Sequence, residues 1–374
     1  MTESGDGVST SSTSVTPRSL SLSKGVSTSS TSVTFSADEC WFGGWRGPST
    51  LVADVGGIRL ATDDDARPEL HLAGTVFPGF VDSHVHLGLG EGKALLAGGI
   101  AAVDDLGWDP EVARTWADRP ELPMARFAGA FITTVGGYPS DRDWAPEGAV
   151  VEVASADEAR SAVDRQLEAG ASFIKIVLNS DAGPVLDDVT LRAVVGHSHV
   201  RGREVVTHVE GAGQAARAFE AGADRLAHTP WTERLDNDLL MAMAGPKART
   251  LSGAQSWIST LDIHGWGEPT PEFVIAKDNL RRFHAFGGTI SYGTDFGNGP
   301  LPAGVNEREL RALIAVGLSE NGVIRAMTPH KYGHALSYVP GERRDELSEW
   351  LAGASAITAQ QLAQRNLPAI EGSR

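Results

Sequence analysis

Short apolar runs alternate with longer stretches of helical periodicity from residue 75 onward. This alternation is typical of repeated βα units, which build a parallel sheet. Eight β-strands are predicted, at residues 76–84, 100–105, 124–132, 171–178, 204–208, 224–228, 249–257 and 288–294. Eight units favour a closed barrel over an open doubly wound sheet, and the first strand is not followed by the Gly-x-Gly-x-x-Gly motif of dinucleotide-binding folds. The predicted fold class is therefore α/β, a (β/α)8 TIM barrel.

The pattern changes on both sides of the predicted barrel. Ser and Thr dominate the N-terminal residues, where the segment Gly7–Thr16 recurs identically at Gly25–Thr34. Such a segment buries too little apolar surface to offset the entropy of ordering it. We therefore expect four regions: a disordered leader at 1–38, a small β element at 39–74, the barrel at 75–336 and a helical tail at 337–374. Because no C-terminal β segment is evident, we expect the N-terminal β element to be incomplete.

The composition is that of a globular protein with a strong acidic excess. Lys and Arg total 32 against 48 Asp and Glu, a formal net charge of −16. Nucleic acid and anionic membrane surfaces would repel such a chain, so we expect neither as a partner. No apolar run approaches the roughly 20 residues of a membrane span. The single cysteine, Cys40, excludes an internal disulfide and fits a reducing compartment, so we expect a cytoplasmic protein, with a homo-oligomer possible.

Polar residues that can bind metal ions end several of the predicted strands. They are His84, His86, Lys175, His208, His228 and Asp295. A parallel barrel sends the ends of all its strands to one rim, so residues far apart in sequence are expected to meet there. His84 and His86 are separated by one residue, which places both imidazoles on the same side of a strand. Each histidine taken alone is equally compatible with a hydrogen-bonded core residue.

These residue types suit two divalent ions rather than one. His84 and His86 can share one cation, and His208 with His228 can hold a second through neutral imidazole nitrogens, a ligand set that favours Zn²⁺. Lys175 lies within an apolar run, and burial of a lysine lowers its pKa. A neutral amine can add carbon dioxide to form a carbamate that bridges two metals. The alternative is a lysine whose amine reaches solvent at the strand end.

Asp295 is the candidate acid–base residue. A carboxylate at this rim can bind the first metal and accept a proton from the attacking water. It can then deliver that proton to the departing nitrogen.

The segment Pro78–His86 (PGFVDSHVH), together with Lys175, His208, His228 and the Gly-Thr-Asp295 motif, resembles the amidohydrolase superfamily of binuclear type. The segment Leu95–Gly107 resembles the second-strand segment of its imidazolonepropionase-related, prolidase-like branch, and the similarity extends over residues 73–336. The resemblance implies that His84, His86 and Asp295 bind the more buried metal and that His208 and His228 bind the more exposed one. A carboxylated Lys175 would bridge them.

Three further residues are predicted to contact substrate. Glu210 occupies a position where this branch often has a histidine, and it is expected to bind a cationic or amide group. Tyr138, in the loop after the third strand, is a candidate to polarise the scissile carbonyl. His264, in the loop after the seventh strand, is expected to line the pocket.

The predicted activity is hydrolysis of a C–N bond, in an amide or peptide-like substrate, by a metal-activated hydroxide. Prolidase-like relatives act on dipeptides and N-acyl amino acids, which makes a peptidic bond the first expectation. Deamination of a heterocycle, or opening of a cyclic amide, by the same residues is the alternative. Mononuclear deaminases of the superfamily lack the strand-4 lysine, so Lys175 disfavours that reaction. A second alternative is a catalytically inactive barrel used for binding.

Overall fold

The structure is a computed structural model that describes residues 32–54, 57–246, 249–329 and 333–364. Its strands are β1 Val33–Cys40, β2 Ser49–Asp54, β3 Gly57–Leu60, β4 Leu70–Pro78, β5 Phe80–Val85, β6 Ile100–Asp105, β7 Met124–Phe127, β8 Phe131–Thr134, β9 Val150–Val153, β10 Ile174–Asn179, β11 Val205–Glu210, β12 Arg225–Leu226, β13 Ser256–Ile258, β14 Thr289–Ser291, β15 Ala335–Pro340 and β16 Ser355–Thr358. Its α-helices are α1 Lys93–Ala97, α2 Pro110–Ala113, α3 Ala156–Glu168, α4 Asp188–Val200, α5 Gln214–Ala221, α6 Asn237–Ala244, α7 Pro271–Ala285, α8 Glu307–Ala315, α9 Glu320–Met327, α10 Leu347–Ala352 and α11 Ala359–Ala363. Short 3-10 helices occupy Trp116–Asp118 and Asp262–His264.

Parallel strands form the barrel that the sequence predicts. Strands β5, β6 and β7 pair in that order, and β8 and β10 to β14 pair in a second run. The third barrel strand is interrupted, because β7 pairs with β6 whereas β8 pairs with β10. The first and last strands close the ring: Ser83 N donates to Tyr292 O at 3.0 Å and Asp295 N donates to His84 O at 2.8 Å. The prediction of a (β/α)8 barrel is confirmed.

Local sequence explains where several helices begin. Ser155, Asp187 and Thr270 each precede a helix and accept a backbone N–H with their side chains, and Pro271 occupies the first position of α7. The seventh strand is shorter than predicted, since it begins at Ser256 after a turn around Gly253, whose φ is +84°.

The barrel interior beneath the strand ends is packed and not a pore, as expected for this fold. Its apolar part consists of Leu106, Ala128, Phe173, Val206, Ala227 and Ile258. Buried Asp104 accepts hydrogen bonds from Arg126 Nε at 2.8 Å and Arg225 Nη1 at 2.8 Å. Both guanidinium groups lie over the Phe173 ring, at 5.4 and 4.9 Å from its centroid. This layer forms the floor on which the predicted site rests.

A second sheet combines both ends of the described chain. Its strand order is β16-β15-β4-β1-β2-β3, with β15 antiparallel to β4 and to β16. Phe35, Val76, Leu336, Tyr338 and Ile357 are buried in its core.

This sheet corrects the predicted domain boundaries. The prediction of an incomplete β element is wrong, because β15 and β16 complete the sheet. The tail at 337–374 is helical only at α10 and α11, since β15 and β16 occupy much of the rest, and residues 365–374 lie outside the described residues. The disordered leader is wrong for residues 33–38, which belong to β1, and the rest of its range up to residue 31 lies outside the described residues. The first barrel strand starts at Phe80, because Val76 to Pro78 belong to β4. Within the described ranges, none of the helices combines the length and apolar character that crossing a membrane requires.

Candidate metal centre

One cavity of about 450 Å³, at the C-terminal ends of the barrel strands, brings together all the predicted site residues. It is lined by His84, His86, Lys175, His208, His228 and Asp295, and also by Tyr138, Glu210 and His264. His208 is half-buried and the other five candidate ligands are buried. Residues separated by more than two hundred positions in sequence therefore share one site.

The Asp295 carboxylate lies against the first pair of histidines. Its Oδ1 atom is 3.0 Å from His84 Nε2 and 3.2 Å from His86 Nε2, and those two nitrogens are 3.3 Å apart. Oδ1 is buried and has no partner with hydrogen-bond geometry among the described residues. One carboxylate oxygen and two imidazole nitrogens thus converge within 3.3 Å of one another, an arrangement that a cation would satisfy.

Hydrogen bonds from the outer ring nitrogens orient the first pair. His84 Nδ1 lies 2.8 Å from Ala227 O and His86 Nδ1 lies 3.2 Å from Gly107 O. A carbonyl only accepts, so Nδ1 carries a proton in both rings, and Nε2 is the nitrogen that could bind a metal.

The second pair is oriented by side chains. His228 Nδ1 contacts Thr260 Oγ1 at 2.9 Å, and His208 Nε2 lies 3.1 Å from Glu210 Oε2. The carboxylate accepts from Nε2 of His208, which leaves Nδ1 of that ring available as a ligand. Each of the four imidazoles therefore has one nitrogen engaged and the other available.

The two histidine pairs adjoin each other. The ring centroids of His84 and His228 are 4.5 Å apart, and those of His208 and His228 are 5.0 Å apart. His84, His228 and Asp295 can each offer a ligand atom within 4.8 Å of the others. The donor set fits divalent ions that prefer imidazole and carboxylate ligands, zinc among them.

Burial and the contact between Asp295 and the histidines together set the charges in the cavity. Burial alone would lower the pKa of His86, but the Asp295 carboxylate outweighs it and raises that pKa. Desolvation lowers the pKa values of His84, His208 and His228 and keeps these rings neutral, the form in which imidazole binds metal. Burial also lowers the pKa of Lys175 to about 7, so a large fraction of its amine is neutral at physiological pH. Burial alone would raise the pKa of Asp295, but the adjacent histidines outweigh it and hold that pKa below its usual range.

Two buried carboxylates that the sequence analysis did not single out hold the ligand loops. Asp82 accepts His84 N at 3.1 Å and Thr294 N at 3.0 Å, which ties the first strand to the loop of Asp295. Asp105 accepts Leu87 N at 2.7 Å and Gly107 N at 3.1 Å, beside His86. Asp295 itself has a φ of +61°, a left-handed conformation that is unusual outside glycine and that aims its carboxylate into the site.

The three predicted substrate contacts differ in what they touch. The Tyr138 ring stacks on His208 at 6.0 Å, and burial raises the Tyr138 pKa to about 12, so the hydroxyl keeps its proton. Glu210 lines the cavity but is also bonded to His208, a positioning contact that the sequence analysis missed. His264 lies 4.7 Å from the Trp231 ring, and burial lowers its pKa to about 4, which makes it neutral.

Several other lining residues were also missed. They include Phe131, Trp144, Trp231, Trp266 and Asn298. Asn298 Nδ2 donates to Asp295 Oδ2 at 2.8 Å and so fixes the second oxygen of that carboxylate. Most of these residues lie in loops, where no periodicity predicts which way a side chain points.

Comparison with known proteins gives relatives by sequence and by structure. No family model matches the chain. An uncharacterized protein of Mycobacterium bovis and two of Mycobacterium tuberculosis are each 27% identical to it over 172 residues, which cover 41% of this chain. The match covers less than half, 45%, of the length of these curated relatives.

Solved structures match over most of the chain. A Xaa-Pro dipeptidase with methionine bound in its active site has a TM-score of 0.69 and 18% identity, covering 88% of this chain and 98% of that one. The ochratoxinase of A. niger has a TM-score of 0.69 and 16% identity, covering 88% and 95%. A bottromycin amidohydrolase has a TM-score of 0.62 and 18% identity, covering 88% of each chain. The chain therefore shares the fold of these structures, a (β/α)8 barrel with a small β domain.

Proposed function

We propose that this protein is a metal-dependent hydrolase of the amidohydrolase superfamily that cleaves a C–N bond in an amide or peptide-like substrate. One observation carries the proposal: four imidazoles, a buried lysine and a buried carboxylate line one cavity, and each imidazole keeps one nitrogen available. A binding-only barrel has no need to hold this set in place.

Two divalent ions fit the donor set. His84, His86 and Asp295 would hold the more buried ion, and His208 with His228 would hold the other. Lys175, as a carbamate formed with carbon dioxide, would bridge the two. These ligands favour zinc. Such a pair of ions, when bound, would lower the pKa of a water molecule towards neutrality and would polarise a substrate carbonyl.

The protein's own residues supply the proton transfers and the orientation of the substrate. Asp295 takes a proton from the attacking water and delivers it to the departing nitrogen, while Asn298 holds its Oδ2 atom in place. Tyr138 keeps its proton and can donate to the substrate carbonyl oxygen. His264 and the aromatic rings exclude water from the substrate.

The names of the similar structures support a peptidic or amide substrate, since one is a dipeptidase and another an amidohydrolase.

A panel of dipeptides, N-acyl amino acids and cyclic amides, offered to the zinc-loaded protein, tests this substrate class. We expect turnover of a linear amide that stops on complete removal of metal by a chelator and returns when zinc is restored. Turnover that survives metal removal would contradict the proposal. Exclusive ring opening of the cyclic amides would indicate a heterocyclic substrate instead, and no turnover at full zinc occupancy would favour the inactive barrel.

A further inference from the structure

Aromatic side chains form the wall of the cavity beside the metal centre. They are Phe131, Tyr138, Trp144, Trp231 and Trp266. The Trp231 ring lies 5.6 Å from His208 and 5.4 Å from His228, so the wall begins next to the candidate ligands. It continues from Tyr138 to Trp144, whose ring centroids are 6.3 Å apart. Trp266 stands half-exposed at the rim. A wall of this kind binds a flat or bulky apolar group.

The charges along this cavity are unevenly distributed. Among the described lining residues, Lys175 is the only Lys or Arg, and Asp295 and Glu210 are the carboxylates. Lys175 and Asp295 belong to the metal centre, so Glu210 is the charged group left for the substrate. Arg142 is outside the lining, with its guanidinium carbon 5.3 Å from the Tyr138 ring and its Nε 3.4 Å from Asp141 Oδ1. Among the described lining residues, no arginine and no lysine outside the metal centre is therefore available to pair with a substrate carboxylate.

Glu210 is held in a fixed position. Its Oε2 atom accepts Asn179 Nδ2 at 2.6 Å and His208 Nε2 at 3.1 Å. Its side chain is 27% exposed and lines the cavity. A fixed carboxylate beside aromatic faces is a combination that recognises organic cations.

We propose that the substrate presents a positively charged nitrogen to Glu210 and an aromatic or bulky apolar group to the wall, and that it has no free carboxylate. This inference rests on the proposed amide hydrolysis and narrows its substrate class. Amides and peptides with a free amine and a blocked C-terminus fit the cavity. N-acyl amino acids and free dipeptides, the substrates first expected from the sequence, fit the cavity less well.

Three matched peptides test the charge preference. Phenylalanyl-phenylalanine amide has the amine and no carboxylate, the free dipeptide has both, and the N-acetylated amide has neither. We expect the zinc-loaded protein to give the highest kcat/KM with the first and roughly 10-fold lower values with the other two. Equal or higher kcat/KM for the free dipeptide or the acetylated amide would overturn the inference.

A binding measurement separates this inference from the proposed activity, because it needs no turnover. Calorimetry compares phenethylamine with 2-phenylethanol, its neutral counterpart, on zinc-loaded wild type and Glu210→Gln. We expect the variant to lose about 10-fold in affinity for the amine and to bind the alcohol unchanged. Equal weakening of both ligands, together with zinc loss, would mean that Glu210 only positions His208, and the inference would fail.

Matched controls define the role of each group. Glu111→Gln removes the same charge from an exposed position in α2 and should leave the amine-to-alcohol affinity ratio unchanged. Trp266→Ala, at the rim, should weaken both phenyl ligands by a similar factor while zinc content stays the same. A ratio that changes in Glu111→Gln would point to a general charge effect and would also overturn the proposal.

Discussion

Asp295→Asn is expected to retain metal and to lose kcat by roughly 10²–10⁴-fold, the usual contribution of a positioned acid–base group. The amide oxygen of asparagine can still face His84 and His86, so the site keeps a donor where Oδ1 lies 3.0 Å from His84 Nε2. An asparagine cannot accept a proton from water at neutral pH or return it to the leaving nitrogen. Metal content and single-turnover rates on the same preparation separate the two effects.

A control for this variant lies in the small β domain. Asp64→Asn makes the same chemical change on an exposed turn and should keep the wild-type rate and zinc content. A near-normal kcat in Asp295→Asn would remove this residue from proton transfer. Loss of all metal in that variant would instead show that its charge is required mainly for binding.

Lys175→Ala is expected to reduce zinc from two ions per chain to about one or less, and to reduce turnover with it. The amine of Lys175 is buried, and its pKa of about 7 makes enough of it neutral to react with carbon dioxide. Alanine would remove the proposed bridging ligand and leave room where the lysine stood. Added formate, acetate or propionate should restore part of the zinc and part of the rate by supplying a carboxylate in that space.

Lys93→Ala is the matched control, because Lys93 is exposed at the start of α1 and should tolerate the change. Thermal melts of both variants show whether the barrel remains folded. An unchanged zinc content and rate in Lys175→Ala would argue against a carbamate bridge. In Lys93→Ala the added carboxylic acids should change neither the zinc content nor the rate.

The position of the candidate site was predictable because it follows from the geometry of the barrel. Strand ends converge at one rim, so His84, His228 and Asp295 were expected to meet there if the eight-strand pattern was correct. Lys175 is the second residue of β10 rather than its last, and it lines the same cavity. The alternation of side chains along a strand also places Glu210 on the same face as His208. This spacing predicts contact between the two residues, but the sequence analysis assigned Glu210 to substrate binding alone. Strand geometry therefore predicts more of this site than ligand motifs do.

The parts that could not be predicted depend on distant pairing or on loops. Strand β15 lies antiparallel to β4, with Ser337 opposite Phe77, and no local pattern in either segment specifies that partner. The aromatic wall depends on Trp144 and Trp231, which are in loops without periodicity. Asp82 and Asp105 are buried where groups from neighbouring loops satisfy them, among them the backbone N–H groups of Thr294 and Leu87, and this follows from tertiary structure.

The metal content of the purified protein tests the central claim most directly. Elemental analysis after zinc loading and removal of excess ion should find about two zinc ions per chain. His228→Ala, which removes one ligand of the second pair, should lower that value towards one. A wild-type protein that is folded and binds no zinc would contradict the assignment of this cavity as a two-metal hydrolase site.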